Sequence, residues 1–261
     1  MMTSYKEFTI ELALQAGALL KQSFQLEGTQ ASLKSDRSFV TAVDLSADSL
    51  ITRAIHQEVP NESILSEESS TNLTKLDPAV WVVDPLDGTT NFSLGLHVWG
   101  VSIARLAQGQ PELGVIFFPF LGELYVAERG QGASLNGSPI HTRTPDPQQP
   151  LSFFACCSRT HRRYAVSIPY KPRILGSAAY SFCMLARGTA LVAFEATPKV
   201  WDLAAAWLLV QEAGGRIAAY DGEAPFPLAP LRDYASTSFP TLAAASDDLF
   251  LKSIDQIKMK S

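Results

Sequence analysis

Along the first 24 residues, apolar side chains return at three- and four-residue steps. Tyr5, Phe8, Leu12, Ala16, Leu19 and Leu20 alternate with Glu7, Glu11, Gln15 and Gln22. That period predicts an amphipathic helix with one buried face. A second helix is predicted over 44–58, where Leu45, Ala47, Ile51 and Ile55 keep a similar spacing until Val59-Pro60 stops it. After Pro60 the texture changes to short β-rich runs at 63–66, 80–83, 98–106, 113–118 and 123–127, separated by Gly, Pro and Asn. A further hairpin is predicted to turn at Asn136-Gly137. The stretch 141–150 is polar, holds three prolines and has no apolar period, so a lobe boundary is placed near 145, dividing the chain into 1–145 and 146–261. Beyond it, strands at 151–157 and 191–194 alternate with helices at 178–186 and 203–213. The pattern predicts a layered α/β (α+β) fold with an antiparallel first sheet and a mixed second sheet.

Composition narrows the function classes. With 261 residues, 46% of them hydrophobic, the chain can bury a self-sufficient core, which excludes disordered and collagen-like readings. A net charge of −5 has the wrong sign for a protein whose main partner is a nucleic acid backbone. The longest apolar run, 203–210, is far short of the roughly 20 residues that span a bilayer, so no membrane partner is expected. Lys6, Glu7, Glu11 and Lys21 are spread through the N-terminus, which does not read as a secretory signal. Cys156, Cys157 and Cys183 form an odd set without C-x-x-C spacing and read as buried, reduced thiols. A cytoplasmic location is the resulting expectation.

The candidate chemistry lies in Trp81-Val-Val-Asp84-Pro85-Leu86-Asp87-Gly88-Thr89-Thr90-Asn91-Phe92. Pro85 cannot donate to a ladder, so strand pairing is expected to end where the carboxylates begin. Gly88 permits a sharp turn, and Thr89, Thr90 and Asn91 are good N-caps, so amide hydrogens of a helix start are expected to form an anion seat beside the two aspartates. Upstream, Glu67-Glu68 follows the apolar pair Ile64-Leu65, again placing carboxylates at a strand end. Downstream, Trp201-Asp202 opens a helix that is apolar almost all round and closes at Gly214-Gly215, with Asp202 as its expected cap. If Glu67, Asp84, Asp87 and Asp202 converge, their mutual repulsion calls for cations. Oxygen ligands with no His or Cys nearby point to Mg²⁺, two or three ions, and to phosphoryl transfer to water.

Other templates fit less well. The haloacid-dehalogenase pattern Asp-x-Asp-Gly-Thr fails because Pro85 stands two places before Asp87. An EF-hand counted from Asp84 meets Pro85 second and Gly95 twelfth. No P-loop motif is present, and the glycines around Gly130 and Gly132 lack the last member of a dinucleotide fingerprint.

With Asp84-Pro-Leu-Asp87-Gly-Thr-Thr-Asn-Phe92, the Glu67-Glu68-Ser69 step and Trp201-Asp202 leading into Glu212-Ala-Gly-Gly215, the chain resembles the inositol monophosphatase family, from about Lys34 to Gly215. The resemblance implies an α-β-α-β-α sandwich, a homodimer, and Mg²⁺-dependent, lithium-sensitive hydrolysis of small phosphomonoesters. It implies metal ligation by Glu67, Asp84, the Leu86 carbonyl, Asp87 and Asp202. It also implies that Thr89, hydrogen-bonded to Asp44 and working with Glu67, activates the attacking water, while the Gly88 and Thr89 amides hold phosphate. Gly176, Ser177, Ala178 and Glu195 occupy the places that contact the alcohol portion. Thr90-Asn91-Phe92 differs from the Lys-Glu-Phe of related nucleotide 3'-phosphatases and favours the inositol branch. The departure is the loop Ala196-Thr-Pro-Lys199-Val, stiff and cationic, which would favour a second anionic group over a neutral ring.

Glu68 is read as a neighbour of the site, Trp201 and Trp207 as core aromatics, and His56, His97, His141 and His161 receive no chemistry. Inositol 1-phosphate or a similar polyol or sugar phosphate is the expected substrate. Fructose 1,6-bisphosphate, histidinol phosphate and 3'-phosphoadenosine 5'-phosphate are alternatives. A different class, a metal-stabilised interaction protein, keeps the pocket without using Thr89.

Overall fold

A computed structural model of the chain describes residues 4–24, 31–33, 39–69, 72–146, 148 and 151–260. The two N-terminal helices are α1 (Tyr5–Phe24) and α2 (Ala42–Glu58), with β1 (Ala31–Leu33) and β2 (Phe39–Thr41) paired antiparallel between them. Lys34, where the family resemblance begins, lies outside the described residues. Seven strands then form one sheet in chain order. They are β3 (Ser63–Ser66), β4 (Val80–Asp87), β5 (Gly100–Ala107), β6 (Gln110–Phe118), β7 (Glu123–Glu128), β8 (Gly132–Leu135) and β9 (Ser138–Ile140), with the short α3 (Thr89–Ser93) after β4. Asn136 and Gly137, both at positive φ, make the predicted turn between β8 and β9.

The sheet departs from the expected antiparallel pattern at one edge, where β3 and β4 run parallel. This edge matters for the site. A hairpin would put the ends of the two strands on opposite sides, whereas parallel pairing in the register Ser66 to Val83 brings Glu67 level with Asp84. The Glu67 amide extends the ladder to the Val83 carbonyl at 3.2 Å.

The second half contributes β10 (Phe153–Cys156), α4 (Thr160–Arg163), β11 (Tyr164–Val166), β12 (Lys171–Arg173), α5 (Ala178–Ala186) and β13 (Ala190–Glu195). It continues through α6 (Val200–Glu212), β14 (Arg216–Ala219), β15 (Thr241–Ala244), α7 (Asp247–Asp255) and β16 (Ile257–Met259). Its main sheet has the order β12-β10-β13-β15-β14 and is mixed, as predicted, while β11 and β16 form a separate antiparallel pair.

The layers follow from alternation along the strands. Trp81 and Val83 of β4, with Val101 and Ile103 of β5, face α1 and α2 and pack with Leu12, Leu20, Ile51 and Ile55. Their neighbours Val80, Val82, Ala104 and Leu106 face the other way and pack with Phe182, Leu185, Leu203 and Trp207 of α5 and α6. Buried on both faces, β4 shows no polar alternation in its apolar half. Helix α6 lies between the two sheets, which explains why it is apolar almost all round. Beyond the second sheet, Phe154, Val192, Phe194 and Leu242 pack against Phe250 of α7. The order is α1/α2, first sheet, α5/α6, second sheet, α7, an α-β-α-β-α sandwich. The middle core unites residues from before and after position 145. No helix among the described residues is long and apolar enough to cross a membrane.

Candidate functional site

Strand β4 does not stop at Pro85. Asp84 pairs with Ser102 and Asp87 with Gly100, and the two residues between them bulge out of register. Pro85 has no amide to leave unpaired, and the Leu86 amide is satisfied locally by Asp84 Oδ1 at 2.9 Å, so pairing resumes beyond the bulge. The result is two carboxylates on a buried strand end, Asp84 at 1% and Asp87 at 5% exposure. Gly88 then turns the chain with φ +92, and a Cβ there would lie 2.9 Å from the Val98 carbonyl oxygen, so a side chain is excluded on both counts. Thr89 opens α3. Its hydroxyl lies 3.0 Å from the Leu86 carbonyl oxygen and 3.4 Å from Oδ1 of Asp44, which is buried in the first turn of α2.

The third aspartate comes from the opposite half. Asp202 is not the cap of α6, as expected from the sequence, but its third residue. Lys199 is the cap, and the Lys199 amide donates to Asp202 Oδ2 at 2.7 Å. Val200 and Trp201 are already helical because both pack into the core, which moves the helix start upstream of the acid. Oxygens of Asp84, Asp87 and Asp202 all lie within 4.8 Å of one another. Glu67 is half-buried at the end of β3, and its charge acts on both Asp84 and Asp202. Just before it, the Ser66 hydroxyl donates to Asp48 of α2. Glu68 is half-buried beside it.

Burial drives the Asp84 carboxyl well above the usual range, and repulsion from Glu67, Asp87 and Asp202 adds to it. Asp202 is raised in the same way, by burial and then by Asp87 and Glu67. Asp87 is pushed up to about 6 by burial, restrained by the Ser177 hydroxyl and the amides of Ala178 and Ala179. A cluster that destabilises its own charges in this way, built only from hard oxygen donors, fits a divalent cation such as Mg²⁺.

Beside the carboxylates lies a cavity of about 320 Å³, toward the small end for a ligand pocket. Gly176, Ser177, Ala178 and Glu195 line it, as do Asn91, Cys157, Ser158, Arg159, Thr197 and Pro198. Ser177 caps α5 by accepting from the Tyr180 amide at 3.0 Å, and its hydroxyl donates to Asp87 Oδ2. The Ala178 amide donates to Asp87 Oδ1 at 3.2 Å. The start of α5 therefore holds Asp87 in place. Gly176 has φ +79, and a Cβ there would meet the Asn91 side chain at 2.5 Å. Asn91 in turn donates to the carbonyls of Val98 and Leu175 at 2.7 and 2.8 Å, locking α3 to the loop before α5. Glu195 ends β13 buried at 4% exposure, and burial pushes its carboxyl up to about 8.

Two readings of the sequence are corrected at this wall. Cys157 is half-buried and, besides packing against the outer core, lines the cavity, while Cys156 and Cys183 are buried as expected. Lys199 is not the cation of the cavity. Its ammonium donates to the Ala235 carbonyl, and the loop contributes Thr197 and Pro198 instead. Arg159, which belongs to no motif, takes that place. A second unexpected contact is Glu212, at the end of α6, which accepts from the amides of Gly130 and Gly132 at 2.9 and 2.8 Å.

A model described as the inositol monophosphatase family matches residues 1–258. The chain is 34% identical over 229 residues to Nus factor SuhB of Pasteurella multocida, covering 82% of this chain and 84% of that one. It is also 34% identical over 232 residues to the histidinol-phosphatase of Chlorobaculum parvum, covering 85% and 88%. The solved structure of inositol monophosphatase from Anabaena matches with a TM-score of 0.75 and 27% identity, covering 98% of this chain and 96% of that one.

Proposed function

The chain belongs to the inositol monophosphatase family, and from that premise we propose that it is a Mg²⁺-dependent phosphomonoesterase acting on a small polyol or sugar phosphate, inositol 1-phosphate among them. The observation that carries this reading is the gathering of Asp84, Asp87 and Asp202, from both halves of the chain, beside Thr89 and Asp44. Glu67, Asp84, Asp87, Asp202 and the Leu86 carbonyl would hold two or three Mg²⁺ ions, which supply Lewis acidity to the phosphate oxygens and to water. Thr89, its hydroxyl within reach of the Leu86 carbonyl and of Asp44, presents its oxygen to a water, and Glu67 takes the proton as that water attacks phosphorus. The water oxygen bonds to phosphorus, the ester P–O bond breaks, and the alcohol oxygen leaves and is protonated. The Gly88 turn lets backbone approach the phosphate closely, and Gly176, Ser177, Ala178 and Glu195 receive the alcohol. The same reading carries a homodimer in the cytoplasm, which light scattering and fractionation would check.

Phosphate release from a panel of phosphomonoesters, with and without Mg²⁺ and Li⁺, tests this. Release is expected only with Mg²⁺ and is expected to fall when Li⁺ is added. The relative from Pasteurella multocida is named a Nus factor rather than a phosphatase, which supports the second reading, a metal-stabilised interaction protein. No release from any substrate, with Mg²⁺ still raising the melting temperature, would favour that reading over the first.

A further inference from the structure

The cavity holds a cation that the reaction as described leaves unused. Its charged lining residues, among those described, are Glu195, Asp202 and Arg159, and only Arg159 is positive. Arg159 lies between β10 and α4, and its Nη1 donates to Thr197 Oγ1 at 2.9 Å, which ties the guanidinium to the loop after β13. The chain around it is unusual. Between Asp146 and Glu195 there is no acidic residue, whereas Arg159, Arg162, Arg163, Lys171, Arg173 and Arg187 all fall there. On a chain of net charge −5 this leaves the stretch that carries Arg159 basic. Arg162 and Arg163 follow Arg159 on α4, and Arg173 immediately precedes Ile174, which also lines the cavity.

A neutral polyol needs hydroxyl-sized donors and acceptors. A guanidinium offers instead a planar fork of N–H groups matched to two oxygens of a phosphate. We propose that Arg159, positioned by Thr197, selects phosphomonoesters whose alcohol portion carries a second phosphate. That phosphate is received at the mouth of the cavity while the scissile one sits against the Asp84, Asp87 and Asp202 wall. This rests on the phosphatase reading and narrows its substrate class.

Matched pairs differing only in the second phosphate test it: fructose 1,6-bisphosphate against fructose 1-phosphate, and 3'-phosphoadenosine 5'-phosphate against adenosine 3'-phosphate. In at least one pair the wild type is expected to favour the bisphosphate in kcat/KM by about tenfold or more, as one charge-assisted contact would give. In that pair Arg159→Gln is expected to cut the ratio about tenfold, mainly through KM. Arg159→Lys, which keeps the charge and loses the fork, is expected to restore part of it. A wild-type ratio at or below one in both pairs, or a ratio that Arg159→Gln leaves unmoved, overturns the proposal. Calorimetric binding of the same four compounds with Mg²⁺ present, to wild type and Arg159→Gln, reads it independently of turnover. Tighter binding of the bisphosphate that disappears in the variant upholds Arg159 even if no phosphate is released, an outcome that would count against the phosphatase reading alone. Equal binding of both members of each pair counts against Arg159.

Discussion

On the acidic wall of the cavity each aspartate is carried by an element gripped by packed core, whereas on the alcohol wall, Glu195 at the end of β13 apart, the polar groups stand on the links between elements. Asp84 and Asp87 end a strand that is buried on both faces between two cores, and Asp202 sits in the first turn of a helix enclosed by both sheets. Ser158, Arg159 and Thr197 lie on connecting segments, and Ser158 and Arg159 are exposed. Packing and mutual repulsion leave little freedom in the first set, because moving one carboxylate would move a strand or a helix. The second set can change by loop substitution without disturbing a core. Relatives that match most of this chain carry names as different as histidinol-phosphatase and Nus factor, as a scaffold with one fixed wall and one adaptable wall allows.

The sharpest way to break this contrast is to neutralise one acid. Asp87→Asn is expected to lower turnover about 10²-fold or more, equivalent to roughly 2.7 kcal/mol of transition-state stabilisation, because cation affinity and water activation fall together. Near-normal phosphate release from that variant would remove Asp87 from the chemistry. Next in size is the pH response of the metal-free protein. Asp87 at about 6 and Glu195 at about 8 bind more protons folded than unfolded. Their contribution to stability is full below the unfolded carboxyl range and is lost as pH rises through those values. Urea unfolding without metal should therefore show stability falling steadily between about pH 5 and 8.5. Saturating Mg²⁺ should cancel the part due to the aspartates, and Glu195→Gln should remove the upper part of the fall. A flat profile in metal-free protein would mean that the acids do not share a dry site.

Glu195 also probes the alcohol wall. Glu195→Gln is expected to change the preference among phosphomonoesters by about tenfold, as exchanging one buried hydrogen-bonding contact would, while the Mg²⁺ concentration for half-maximal rate stays within about twofold. An unchanged substrate profile would detach Glu195 from recognition.

The acidic wall was the more legible in sequence for the same reason that it is rigid. Its residues must be Asp or Glu, must follow apolar strand or helix signals, and so stand out at 67, 84, 87 and 202. The fold was readable where an apolar pattern was long, as in α1, α2 and α6. Short strands such as β11, β12, β14, β15 and β16, and the helices α4 and α7, escaped because three- to nine-residue segments hold too few repeats to declare themselves. The parallel pairing of β3 with β4, which aligns Glu67 with Asp84, left no local mark at all. Arg159 and Cys157 were missed because lining a cavity depends on which way a loop or strand end faces, and Lys199 was misplaced because its partner, Ala235, lies 36 residues away.

Ser177 stands where the two walls meet, and the smallest of the expected effects decides to which it belongs. Its hydroxyl accepts from the Tyr180 amide as the cap of α5 and donates to Asp87. Ser177→Ala removes both bonds without removing a carboxylate. The lost cap alone costs about 1 kcal/mol, which in a chain of this size lowers the melting temperature by roughly 2–4 °C. Freed of the hydroxyl, Asp87 loses a donor that favours its charged form, so its carboxyl should titrate higher and the Mg²⁺ concentration for half-maximal rate should rise only a few-fold. Ser177→Thr, another good cap, should recover the melting temperature. If Ser177→Ala instead loses turnover as completely as Asp87→Asn, with the melting temperature unchanged, Ser177 acts with the aspartates in the reaction itself, and the border between a fixed acidic wall and an adaptable alcohol wall must be redrawn to include the start of α5.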